Sequence, residues 1–134
     1  MNVVTTDLPG VLIIEPKVFG DDRGFFYESF NAKAFEDATG LNPTFVQDNH
    51  SRSARGVVRG LHFQIGAGVA KLVRCGRGRI FDVAVDLRAG SPTYGKWAGV
   101  ELDDESMTEL YVPVGFAHGF CAISEVADVF YKQT

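Results

Sequence analysis

Several things that would settle the class of this chain at once are scarce or missing. It has two cysteines, Cys75 and Cys121, isolated and without a CxxC pair. A disulfide framework is therefore not implied, and two core thiols in a reducing compartment is the reading. No apolar run approaches the roughly 20 residues that span a bilayer. The start, "MNVVTTDLPG", lacks a basic segment followed by an apolar one, so no signal peptide is evident. These absences point to a cytoplasmic protein with no membrane partner. Positive charge is also short: the formal net charge is −4, which disfavours nucleic acid as a partner. Arginines and lysines do concentrate at Arg52, Arg55 and Arg59 and again at Lys71, Arg74, Arg77 and Arg79. An acidic chain with such basic spots suits a small anionic ligand better than a polymer. No repeat and no linker-like change of composition divides it, so residues 1–134 are read as one domain.

What is present leans towards strands. Eleven phenylalanines and fifteen glycines, with 46% apolar residues, fit strands and tight turns rather than a helical bundle. Residues 10–19 read as a first strand closed by Pro16, and 21–30 as a turn and a second strand. Asn31 caps a short helix, "AKAFEDAT", that Gly40 ends. Further strands fall at 44–51, on both sides of "GRG" (76–78) as a hairpin with a tight turn, at 96–102, and on both sides of "PVG" (113–115), read as another tight turn between antiparallel strands. Eight or so short strands and one helix indicate an all-β antiparallel sandwich or barrel. A last strand at 127–134 reads as an edge left without cover.

"VVRGLHFQ" (57–64) is the unusual stretch. Alternation gives Val57, Arg59, Leu61 and Phe63 one face and Val58, Gly60, His62 and Gln64 the other. The second face is small and polar, as a pocket wall is. Arg59 and His62 are three positions apart, so a bulge near Gly60 is needed to turn both into one cavity. Of the other histidines, His50 reads as a loop residue. His118 ends "PVGFAH", a Pro-x-Gly-x-x-His spacing that resembles the second motif of cupins. Metal-binding cupins add a His-x-His pair, where this chain has His62 and Gln64, so no metal site is expected.

His62, Tyr131, Lys71 and an arginine, Arg59 or Arg23, suit proton abstraction next to a carbonyl. A neutral imidazole, with a pKa of about 6.5, is a feeble base for a C–H bond, and each pKa unit of mismatch costs about 1.4 kcal/mol. The enolate must therefore be stabilised as it forms, which a cation beside the oxygen does best in a dry pocket. Inversion then needs a second group on the opposite face, and a tyrosine hydroxyl can return the proton there.

Seven stretches together resemble the dTDP-4-dehydrorhamnose 3,5-epimerase family: "GDDRGFFYESFN", "FVQDNHS", "VVRGLHFQ", "KLVRCGRGRIFDVAVDLR", "SPTYGKW", "VPVGFAHGF" and "FYK". The resemblance implies a cupin-like jelly-roll barrel and a dTDP-linked 4-keto-6-deoxyhexose epimerised at C3 and C5. It implies His62 as base, Tyr131 as acid and Lys71 as the cation for the enolate. It places Arg59 and His118 at the diphosphate and Gln47 and Asn49 in the pocket wall. Arg23, Phe26 and Glu28 become a group lent to the neighbouring subunit of a homodimer, and neither metal nor organic cofactor is implied. A single-carbon 3- or 5-epimerase, a ketoisomerase or an impaired binding paralogue share the same motifs. The family's chains run on past Thr134 with an aspartate that orients the base. Asp82 and Asp86 lie on the face of their strand that can reach the pocket, but hydrogen bonds or surface pairs are the favoured reading of both over a role beside His62.

Overall fold

The computed structural model describes all 134 residues. Twelve strands and one helix follow in order: β1 (Asn2–Thr5), β2 (Leu12–Glu15), β3 (Phe19–Asp21), β4 (Gly24–Phe26), α1 (Ala32–Thr39), β5 (Gln47–Ala54), β6 (Val58–His62), β7 (Lys71–Arg77), β8 (Arg79–Asp86), β9 (Trp97–Asp103), β10 (Glu109–Val112), β11 (Phe116–Ala122) and β12 (Val126–Gln133). A six-stranded sheet runs β1-β2-β10-β7-β12-β5 and a four-stranded sheet β6-β11-β8-β9, with β3 and β4 as a separate hairpin. Every pairing is antiparallel. The all-β, one-helix expectation holds.

The core lies between the two sheets. Val73, Cys75, Ala127 and Val129 from one meet Ile80, Ala84, Leu102 and Phe120 from the other. A second cluster covers part of the outer face of the six-stranded sheet, where Phe35 of α1 packs on Ile14, Leu72 and Tyr111. Full burial of one such ring is worth about 1.5–3 kcal/mol, which anchors a helix too short to stand alone. That helix forms where its caps dictate: Asn31 Oδ1 accepts from Ala34 N at 3.0 Å, and the Gly40 N–H returns to Glu36 O at 2.8 Å.

Three local readings are corrected. The turn at "GRG" does not join a hairpin. Gly78, at φ +79°, is a corner where the chain leaves one sheet for the other, since β7 and β8 pair with different strands. The same holds for the Pro113–Gly115 break between β10 and β11. The last strand is not an edge either: β12 lies between β5 and β7 and is hydrogen-bonded on both sides.

Candidate active site

The expected bulge is present. His118 of β11 stands opposite His62 and Phe120 opposite Arg59, so two steps on β11 match three on β6. Directly opposed residues share a face, and Phe120 belongs to the core. The extra residue therefore turns Arg59 and His62 to the same inner side. Gly60 permits it with φ +106°. A Cβ there would lie 2.7 Å from His118 O and 2.8 Å from Gly119 Cα, both fixed backbone. Arg59 then reaches across the seam between the sheets, donating from Nε to Ser53 Oγ at 2.9 Å and from Nη2 to Arg52 O at 3.1 Å.

Around His62 the inner face becomes polar. His62, Gln64, Lys71, Val112 and Phe116 wall one small hollow. Lys71 Nζ sits 5.5 Å from the centroid of the Tyr131 ring, and Tyr131 itself packs on the core. Burial lowers the Lys71 pKa, and the charge of Asp82 opposes that shift. Asn49 lies opposite Tyr131, and Gln47 opposite Gln133, on the facing strand. Gln47 Nε2 donates to Asn49 Oδ1 at 3.0 Å. Asn49 Nδ2 and Ser51 Oγ are buried without a partner, on the strand that faces Tyr131. His118 is buried, its Nε2 2.7 Å from Asp82 Oδ1.

Asp86, the second carboxylate of β8, belongs to a turn. It accepts from the Arg88 guanidinium, Ser91 Oγ and the Thr93 hydroxyl. The Arg88 bonds above all hold its pKa far below the usual carboxylate range. Neither Asp82 nor Asp86 is hydrogen-bonded to His62. No three His, Cys, Asp or Glu side chains gather as a metal site requires.

Arg23, Phe26 and Glu28 are not brought to this hollow within one chain. The β3–β4 hairpin projects with Phe19, Phe25 and Phe26 exposed, Phe26 at 71%. Arg23 pairs with its own neighbour, Nη2 to Asp21 Oδ2 at 2.6 Å. β4 ends at Phe26, so Glu28 lies beyond the strand.

Comparison with known proteins decides the family, because residues 5–134 match the family model described as dTDP-4-dehydrorhamnose 3,5-epimerase. The chain belongs to this epimerase family. The dTDP-4-dehydrorhamnose 3,5-epimerase of Shigella flexneri is 59% identical over 133 residues, which is 98% of this chain and 74% of that one. The crystal structure of the dTDP-6-deoxy-D-glucose-3,5-epimerase of Legionella pneumophila, in complex with dTDP-4-keto-L-rhamnose, superposes with a TM-score of 0.96 at 53% identity. It covers 99% of this chain and 71% of that chain. A dTDP-4-dehydrorhamnose 3-epimerase of Streptomyces niveus is 48% identical over 135 residues, 100% of this chain and 65% of that one. No helix is long and apolar enough to cross a membrane.

The sequence reading missed a second polar hollow of this epimerase-family chain, about 320 Å³, on the outer face of the six-stranded sheet. His50 is not a loop residue but lies in β5, stacked on Phe130 with centroids 4.1 Å apart. The Arg74 guanidinium lies 4.4 Å over the same ring. Beside them Glu109 is buried, with Oε1 unpartnered. Burial pushes its carboxyl up to about 8, against the opposing charges of Arg74 and Lys132. No sequence signal marks Glu109, because "ELYV" reads as an ordinary strand start.

The folded state thus keeps a proton that the unfolded chain releases above the ordinary value of 4.5. Stability from this group is whole below that pH and declines as pH rises to about 8. Glu109→Gln is neutral at every pH. Its thermal midpoint should equal the parent's at pH 5 and exceed it by a few degrees at pH 8.5. Identical pH dependence in both proteins would show that the carboxyl is solvated.

Proposed function

We propose that this chain epimerises C3 and C5 of dTDP-4-dehydro-6-deoxy-D-glucose, giving dTDP-4-dehydro-L-rhamnose. The observation that carries the reading is the convergence on one inner face of Lys71, Tyr131 and, through the bulge of β6, His62. The imidazole of His62 removes the proton from the carbon beside the 4-ketone, and that C–H electron pair becomes the carbon–carbon double bond of an enolate. The charge passes to the C4 oxygen, where the Lys71 ammonium meets it in a poorly hydrated site. Tyr131 returns a proton from the opposite side of the ring, which inverts the carbon.

Arg59 and His118 are assigned to the diphosphate end. Gln47 and Asn49 complete the pocket, with the open Asn49 donor available to a sugar oxygen. Arg23, Phe26 and Glu28 act on the partner subunit's nucleotide in a homodimer, which accounts for a hairpin of exposed rings that touches no site of its own chain. The chemistry draws on side chains alone and asks for no metal or organic cofactor.

Deuterium uptake from heavy water into the 4-keto sugar nucleotide tests the reading. Uptake at both C3 and C5 is expected. Tyr131→Phe should keep uptake but lose the inverted product by about 10²-fold, since abstraction survives and directed reprotonation does not. Binding of dTDP without uptake would overturn the enzyme reading in favour of a sugar-nucleotide-binding role. The likeness to the Streptomyces niveus 3-epimerase supports a second reading, in which uptake is confined to C3.

A further inference from the structure

Asp82 is fully buried on β8, in line with Ile80 and Ala84 of the core. A carboxylate there has lost its hydration and persists only where partners replace it. Oδ1 has one, His118 Nε2 at 2.7 Å. Oδ2 is shut off from solvent and receives no hydrogen bond. The same interior holds a cation in the reverse predicament: Lys71 is half-buried over the Tyr131 ring and makes no ion pair.

The two elements are joined by the walls of the site. Lys71 shares its hollow with His62, His62 stands opposite His118, and His118 is held by Asp82. We propose that Asp82 is a positioning residue of the epimerase, whose buried carboxylate keeps the Lys71 ammonium charged while its bond to His118 fixes the imidazole on the wall facing His62. The inference rests on the reading of Lys71 as the cation that stabilises the enolate.

The other ionisable groups on the inner face do not substitute for it. Arg59 and, when protonated, His62 and His118 are positive and would drive a proton off Lys71. Tyr131 is the proton donor of the proposed reaction, and burial pushes the Cys75 thiol up to about 11, so neither supplies an anion. Asp86 is spent on Arg88. β5, β9 and β10 bring no ionisable side chain to this face. Asp82, whose Oδ2 has no hydrogen-bond partner, is thus the one carboxylate on this face left to a lysine whose burial favours the neutral amine.

Asp82→Asn tests this in the full chain, since the amide keeps the shape and an acceptor for His118 but removes the charge. Two quantities are read: the pH dependence of kcat, and the pH dependence of Lys71 acylation by an amine-selective reagent, followed by peptide mass spectrometry. Without the anion, Lys71 loses its proton at lower pH. Both the alkaline fall of kcat and the onset of Lys71 acylation should move down by about one pH unit, with KM changed less than about threefold. A merely structural Asp82 would lower activity equally at every pH and leave the Lys71 titration in place, which overturns the proposal.

If the variant does not fold, the parent protein still decides. Lys71 should resist acylation at neutral pH despite its burial, and ready acylation there would overturn the inference. Acylation needs no turnover, so it separates this proposal from the parent reading. Full deuterium uptake by Lys71→Met would remove the role of Lys71 itself, whatever Asp82 does to its charge.

Discussion

His62→Ala is expected to slow deuterium uptake at the carbons beside the ketone by about 10²- to 10⁴-fold, the range a positioned general base supplies. Affinity for dTDP should stay within about threefold, because Arg59 and His118, assigned to the diphosphate, are untouched. Folding should be nearly unaffected, within about 0.5 kcal/mol. The His62 side chain is exposed at the rim of its hollow, and the pairing of β6 with β11 depends on backbone groups. Uptake measured by NMR, calorimetric titration with dTDP and a thermal melt separate these effects. A variant that melts far below the parent would make His62 a structural residue and remove the base from the mechanism.

Gly60→Ala acts on the same residues through the backbone. The added methyl would press on His118 O and Gly119 Cα, neither of which can rotate away, and alanine is strained at φ +106°. The expected loss is about 3 kcal/mol or more, which for a domain of this size lowers the thermal midpoint by roughly 10 °C. What survives as folded protein should show a raised KM and a lowered kcat together, because Arg59 and His62 turn inward only through the bulge. Gly20→Ala is the control: its methyl would meet nothing closer than 3.8 Å. Equal melting of the two variants would mean that β6 can shift past β11 without cost.

The parts of the fold that could be read from the sequence are those whose physics is local. Asn31 and Gly40 bracket the helix because each satisfies groups within four residues. The bulge at Gly60 was legible because two nitrogen-rich side chains three positions apart cannot face one cavity on a regular strand. Turn chemistry at "GRG" and "PVG" shows that the chain reverses, but not whether the next strand joins the same sheet. That choice depends on which apolar faces meet across the core. Glu109 and His50 were illegible for a related reason: their surroundings come from Arg74 and Phe130, on strands far away in the chain. The polar wall of Gln47, Asn49, Ser51 and Ser53 shows plain alternation, yet only the register opposite Tyr131 makes it part of a site.

The place of β12 bears on how the molecule assembles. Lys132 and Asp48, joined across β12 and β5 at 2.8 Å, are 84 positions apart. Until residues 126–133 are made, β5 and β7 have no strand between them, and a nascent chain carries two raw sheet edges at once. Such distant pairings close slowly and leave sticky backbone exposed meanwhile. Deleting β12 would not only shorten the six-stranded sheet but cut β5 loose from it, and the wall bearing Gln47 and Asn49 would go with it.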